Sequence, residues 1–436
     1  MKYRLLYGLL GLALALNLAL GAWIYFQRGR VSGHEDSLEQ SVDLFAAVLQ
    51  KVHAEYVDGS NLTYHALVYS ALQGMVGRLD PHSEFLDAAD YRELQNDTEG
   101  QFGGLGLVVE IRDGWVTVLA PIEDTPAFRA GILAGDRILK INGRSVGRTL
   151  PLDAVVKQLR GEPGTPVTLT IERPLTGAIR DFTLTRAVIR MDMVKDINGR
   201  TDFPLGPDGI GYVRITEFGD RTGEELESAL DKLKAQGLKA LILDLRGNPG
   251  GLLDEAVAVC QKFLPRGQLI VSTEGRDSVE KLYARGRGDE LPGVPIVVLV
   301  NFNTASAAEI VTGCLQDLHR AIILGEKTFG KGSVQSIFPV DHGALKLTTA
   351  KYYTPSHRVI HEHGIMPDIF APMSDAAEAA LVLKREPGGL ESLDPADRAF
   401  VESIQDTQLA RAEDLLKAIL RYRNLTQPQT EKLASP

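Results

Sequence analysis

The feature that most constrains this chain is a pattern repeated through its second half: a short apolar run, a glycine-rich or polar loop, then a stretch with helical spacing. IGYVRI (Ile210–Ile215) precedes a polar helix at Gly223–Gln236. ALILDLRGNPGG (Ala240–Gly251) precedes a helix at Leu253–Leu264, and PIVVLVNFNTASAAEIVTGCLQDL follows from Pro295. Strand and helix taking turns in this way is the mark of an α/β layered domain.

Composition sets the outer bounds. At 436 residues the chain has room for two to four domains, and 44% hydrophobic residues supply a sizeable core. Forty-seven Lys and Arg against 57 Asp and Glu leave a net charge of −10, so no global basic field exists to hold nucleic acid. Two cysteines, Cys260 and Cys314, are too few for a disulfide scaffold or a cysteine zinc site. Each falls on the apolar stripe of an expected helix, where packing is its ordinary role.

From Leu5 to Phe26 runs a 22-residue segment without a charge. At 1.5 Å per residue it spans about 33 Å, enough to cross a hydrocarbon core of about 30 Å. It reads as a membrane segment, either a retained anchor or a cleaved signal. Its length and its closing Trp23, Tyr25 and Phe26 favour the anchor, whose aromatic residues suit the membrane interface. Lys2 and Arg4 before it are matched by Arg28 and Arg30 after it, so charge does not settle its orientation.

Residues 1–30 are thus the anchor or signal, and residues 31–98 read as helical, with a break at LDPHSEFL (Leu79–Leu86). Residues 99–190 change texture to short apolar runs divided by turns, a β-rich module. Residues 191–375 form the α/β core. Residues 376–436 form an Ala/Glu/Leu-rich helical tail, with its last periodic helix near Gln408–Leu420.

In the β-rich module, FGGLGLVVE (Phe102–Glu110) is followed by TPAFRAGILAGDRILKINGRSV (Thr125–Val146) and LDAVVKQLRG (Leu152–Gly161). The order resembles a PDZ domain. A turn at Gly104, Leu105, Gly106 and Leu107 can present successive N–H groups to a terminal carboxylate, while the strand edge accepts a peptide as an added strand. Alone, GLGL is equally an ordinary glycine turn.

Ser306 stands where an apolar strand ends, a polar loop passes and a helix begins. Free N–H donors and the helix dipole there suit a nucleophile and its oxyanion. Ser306-Ala-Ala-Glu309 is also a capping box, which needs no catalysis. No G-x-S-x-G is present, and no histidine lies in a recognisable triad segment, but a lysine can serve as base. Lys331 lies between two glycines, and Lys331, Ser333 and Gln335 alternate onto one side if the segment is extended, so that Gln335 could steer the lysine. To accept a proton near neutrality Lys331 must be brought down from about 10.4, roughly 4 kcal/mol of desolvation or repulsion. Gly325-x-x-x-x-Gly330-Lys331 matches part of a phosphate-binding loop, but Gly332 stands where Ser or Thr is needed and a strand follows. The HEH at His361–His363 lacks metal-site spacing. In LILDLRGNPGG, Gly250 or Gly251 can add an oxyanion donor to that of Ala307; the same loop also suffices as a plain strand-to-helix turn.

Taken together, GMVGRLDPHSEFL, the PDZ-like insert, LDLRGNPGG, TASAAEI, and FGKGSVQ with its lysine 25 residues after the serine closely resemble the carboxy-terminal processing peptidases, the PDZ-containing serine/lysine tail-specific proteases. The resemblance spans about residues 38–372. It implies a ClpP/crotonase-like α/β core with an inserted PDZ domain and N-terminal helices. It also implies Ser306 as nucleophile, Lys331 as general base and Gln335 as its orienting partner, with no cofactor and no metal. The implied substrates are proteins with free, apolar C-termini, cleaved near those ends after the PDZ domain engages them and gates the site, and the implied location is outside the cytoplasm, at the inner membrane. Arg160 matches a position that couples PDZ domain and catalytic face in some members, and Asp317 one where some carry an acidic residue. Ser356-His357-Arg358 departs from the usual Ser-Gly-Arg. The alternatives are a catalytically silent PDZ scaffold that binds chain ends and, ranked lower, an acyl-CoA enzyme on the related core. A homodimer formed through the N-terminal helices is open to either.

Overall fold

The computed structural model describes residues 37–426 except 59–61, 99–100, 113, 123–124, 134, 147–150, 175, 207, 287, 386–389, 391–392 and 394. The apolar run at residues 5–26 lies outside the described residues. Among those described, no helix is long and apolar enough to cross a membrane. The chain divides into two compact units between Leu79 and Asp80.

The first unit carries α1 (Leu38–Glu55) and α2 (Tyr64–Gly77). Each begins at a hydroxyl N-cap: Ser37 Oγ accepts the Gln40 N–H, and Thr63 Oγ1 the Ala66 N–H.

The second unit opens with β1 (Glu84–Asp87) and α3 (Ala88–Thr98). Here the structure departs from the helical reading of residues 31–98, since β1 pairs antiparallel with a core strand, Glu84 opposite Lys346. Four residues are too few to show a period, so the strand exists only through its partner.

The β-rich module is entered by β2 (Gln101–Gly104). It continues through β3 (Leu107–Arg112), β4 (Trp115–Pro121), α4 (Pro126–Arg129), β5 (Arg137–Ile141), β6 (Arg144–Ser145), α5 (Leu152–Leu159), β7 (Pro166–Arg173) and β8 (Ala178–Thr185), and leaves by β9 (Ala187–Arg190). The sheet order is β3-β4-β5-β7-β8, with β6 beside β5, so β3 is an open edge. Val118, Ile138, Val155, Leu169 and Ile171 fill its core. Strands β2 and β9 pair with each other, so entry and exit lie side by side as an inserted module requires.

Strands β10 (Val194–Lys195), β11 (Ile210–Ile215), β12 (Ala240–Asp244), β15 (Ile296–Val300), β16 (Ile322–Gly325) and β19 (Ile369–Phe370) form the central sheet in that order, parallel except for β10. Alternate residues face opposite layers. Val298 and Val300 pack with α6 (Thr222–Ala235), α7 (Leu253–Gln261) and α8 (Ala307–Asp317), while Val297 and Leu299 pack with Ala412 and Leu416 of the C-terminal helix. Both faces are covered, which is why IVVLV is apolar at every position. Burying each such side chain stabilises the fold by about 1.5–3 kcal/mol. Cys260 and Cys314 are free thiols in this core.

A second sheet runs β1-β18-β13-β14, with β17 also on β18, from β13 (Leu269–Gly275), β14 (Val279–Tyr283), β17 (Ser333–Val340) and β18 (Gly343–Tyr353). The tail forms α9 (Asp375–Arg385), α10 (Pro395–Ser403) and α11 (Thr407–Thr426). It is an integral layer of the core, because α11 covers one face of the central sheet.

Candidate active site

Buried strand β15 delivers the chain to residues 301–306 and turns it into α8, whose first nine residues are all buried. At the junction Ser306 adopts φ 55° and ψ −117°, a backbone conformation that a non-glycine residue holds only when its surroundings impose it. Two loops impose it. Thr304 Oγ1 donates to the Leu245 carbonyl at 2.9 Å, and Ala305 N–H to that of Asn248 at 2.9 Å. The Gly247 N–H donates to Asn301 Oδ1 at 2.9 Å.

Gly250 lies against this elbow: a Cβ on it would stand 2.6 Å from Ser306 Cβ and 3.0 Å from the Ala307 nitrogen. Its own N–H, however, donates to Asn248 Oδ1 at 2.8 Å. Of the two glycines expected as oxyanion donors, Gly250 is therefore already engaged. Gly251 is bridged to Phe218 through the neighbouring Gly250 carbonyl and Leu252 N–H, which leaves its own N–H without a partner among the described residues. Ala307 is the first residue of α8, where a helix has no internal acceptor for the N–H.

Glu309 is fully buried and accepts four donors. Its Oε2 takes the N–H of Ser306 at 2.9 Å and of Lys331 at 2.8 Å. Its Oε1 takes Thr328 Oγ1 at 2.5 Å and the Gly330 N–H at 2.8 Å. Burial raises its pKa, while all four bonds pull toward the charged form. The S-x-x-E spacing identified Glu309 as a cap for Ser306; its hold on Lys331 is visible only in three dimensions.

Lys331 sits in the loop ahead of β17 and makes no hydrogen bond or ion pair through Nζ among the described residues, none to Ser306 included. Its pKa is lowered, first by burial and then by the charge of Lys346, with Glu309 opposing. Gln335, expected to steer this lysine, instead donates Nε2 to Ser333 Oγ at 2.9 Å and Thr348 Oγ1 at 3.3 Å. The register shift between Val334 and Gln335 leaves its extra residue, Thr349, on β18, so Ser333 and Gln335 share one face of β17, while Lys331 lies in the loop ahead of the strand.

In the inserted module, Leu105, Gly106, Leu107, Val156, Leu159 and Arg160 line a cavity of about 90 Å³ beside β3. Gly104 ends β2 at its rim, and the N–H groups of Leu105 and Gly106 donate to no carbonyl among the described residues. Arg160 caps α5, stacks over Phe102 at 4.7 Å and reaches Glu93 of α3 at 3.4 Å. Asp317, at the far end of α8 from Ser306, accepts Ser356 N–H at 2.9 Å and pairs with Arg358, so it braces the departing Ser-His-Arg segment. Sequence reasoning also missed Arg246, whose guanidinium links buried Asp244 at 2.6 Å to Asp406 at 2.8 Å, fastening the glycine loop's base to the tail.

Comparison with known proteins agrees with this architecture. Residues 209–371 match peptidase family S41, and residues 117–173 match a PDZ domain. A carboxy-terminal-processing protease of Bartonella bacilliformis is 41% identical over 345 residues, 78% of this chain and 76% of that relative. The carboxy-terminal processing protease CtpA of Bacillus subtilis is 35% identical over 81% of this chain and 72% of its own length. Among solved structures, a photosystem II D1 C-terminal processing protease shares 29% identity over 81% of this chain and 99% of that chain, with a TM-score of 0.44. Similarity of this extent to its relatives makes the chain a member of the carboxy-terminal processing proteases, serine proteases of family S41 that carry a PDZ domain.

Proposed function

We propose that the chain is an endopeptidase in which Ser306 and Lys331 form the catalytic dyad. The observation that carries this reading is the strained Ser306 at the head of buried α8, tied through one carboxylate oxygen to a lysine of lowered pKa. Lys331 Nζ takes the Ser306 hydroxyl proton as Oγ attacks the scissile carbonyl carbon. The N–H groups of Ala307 and Gly251 hold the oxyanion. The lysine ammonium then gives its proton to the leaving amine, and water releases the acyl-enzyme.

The substrate's apolar C-terminus enters the groove at Gly104–Leu107, adding a strand beside β3 with its carboxylate on the free N–H groups. Arg160, through Glu93, relays occupancy of the groove to the core. A resting site in which Ser306 and Lys331 share no hydrogen bond agrees with such gating. The run at residues 5–26 anchors the enzyme to the inner membrane and sets it to work outside the cytoplasm, which membrane extraction and protease accessibility in intact cells would test.

The deciding assay is cleavage of an unfolded protein with an unblocked apolar C-terminus by wild type, Ser306→Ala and Lys331→Ala across pH. Loss in both variants, with wild-type activity rising as an amine deprotonates, supports the dyad; survival in both reduces Ser306 to a helix cap.

A further inference from the structure

The turn Asp80-Pro81-His82-Ser83 opens the second unit and has no role in the dyad chemistry, yet it ends one hydrogen bond from the general-base arm. Asp80 Oδ1 accepts the N–H groups of His82 at 2.8 Å and Ser83 at 2.9 Å, and Oδ2 accepts the Ser83 hydroxyl at 2.6 Å. Burial works to raise the Asp80 pKa, but these bonds outweigh it and the carboxyl lies below its ordinary range. At neutral pH it is an acceptor only. The single Ser83 proton is therefore committed to Asp80, and its lone pairs face outward.

One of them accepts the Thr348 N–H of β18 at 3.1 Å. That N–H lies on the edge of β18 between the stretch paired with β1, which ends at Lys346, and the stretch paired with β13, which begins at Ala350; on the other edge the β17–β18 ladder slips at the same place, with Val334 against Ala350, Gln335 against Thr348 and Thr349 left as an extra residue. Thr348 Oγ1 in turn accepts from Gln335 Nε2, which also holds Ser333, two residues past Lys331. Buried Ser83 thus pairs an N–H that this edge would otherwise leave open, at the residue where the facing ladder slips.

We infer that Ser83, oriented by Asp80, is a positioning residue for the general base: it locks the β17–β18 bulge and, through Thr348 and Gln335, the strand on which Lys331 enters. The inference rests on Lys331 being that base. Around Lys331 stand Lys346 and Glu309, and His82 of the same turn feels the lysine's charge, so a displaced arm changes the field at Nζ.

The test uses the full chain and the pH dependence of kcat and KM for wild type, Ser83→Ala, Gln335→Ala and the double variant. Release of the arm toward water should lower kcat about tenfold at neutral pH, move the ascending limb set by Lys331 to higher pH and leave KM nearly unchanged, with activity recovering in alkali. Ser83→Ala and Gln335→Ala should be non-additive, as members of one chain of bonds are. Asp80→Asn, which keeps the size and loosens the Ser83 hydroxyl, should move the limb in the same direction. A loss uniform across pH, or strictly additive effects, would overturn the inference. Retained cleavage by Lys331→Ala would instead remove the dyad reading beneath it. Unchanged C-terminal peptide binding serves as the check that the variants are folded.

Discussion

Ser306 and Lys331 hang from one oxygen: Glu309 Oε2 accepts the backbone N–H of both, at 2.9 and 2.8 Å, while their side chains share no bond. One carboxylate oxygen thus fixes the backbone of both residues, while Nζ and Oγ stay unbonded to each other.

Glu309→Ala should therefore cost more than a helix cap. It strands four donors in the core, for a loss of about 3 kcal/mol or more, where a lost cap costs roughly 1 kcal/mol. Urea unfolding should show the larger loss, with proteolysis abolished even at temperatures where the variant stays folded. Glu309→Gln keeps one acceptor oxygen and should recover part of the stability.

The lowered pKa of Lys331 carries a stability prediction of opposite sign to its catalytic one. A base whose folded pKa lies below the unfolded value of 10.5 is protonated more readily in the unfolded chain, so its contribution improves as pH rises from the folded pKa to 10.5. Lys331→Met should then be inactive but melt at or above the wild-type temperature at neutral pH. Lys346→Gln removes a repelling charge, so the Lys331 pKa should rise and the activity profile move to higher pH.

Arg246→Met leaves Asp244 buried and short of its main counter-charge, a loss of about 3–5 kcal/mol. In the wild type the arginines hold Asp244 well below its usual range against the cost of burial. Its stabilisation is accordingly complete above the unfolded pKa of 3.8 and is lost as pH falls through the folded pKa. Melting temperatures measured from pH 7 down to pH 2 should decline less steeply in Arg246→Met than in wild type.

Gly106→Ala should close the peptide groove. Gly106 has φ +75°, and a Cβ there would lie 2.2 Å from Thr125 Cβ. The left-handed backbone alone costs an alanine about 1 kcal/mol, and the clash forces the turn apart. C-terminal peptide binding, followed by calorimetry, should disappear while Ser306 remains able to react with an active-site acylating reagent.

What could be read from residues alone was local. Apolar runs and glycine loops announced the α/β core, and Ser306, Glu309, Gly250 and Gly251 sat at spacings that already pointed to a strand–loop–helix elbow. Strand β1 was not legible, because four residues carry no period and Glu84–Asp87 extends only where β18 offers its edge. Gln335 bonds Ser333 rather than Lys331, because the lysine lies in the loop ahead of β17, where a strand's alternation does not carry.

By itself the sequence determined the order of the layers, the inserted module and the residue types at the elbow, since period and turn chemistry act between near neighbours. Tertiary structure alone decided that Asp406 is held to Arg246 from 160 residues away, and that the glutamate capping Ser306 also holds Lys331. Each of these is a hydrogen bond whose donor and acceptor meet only after the core has closed, and no local periodicity encodes such a meeting.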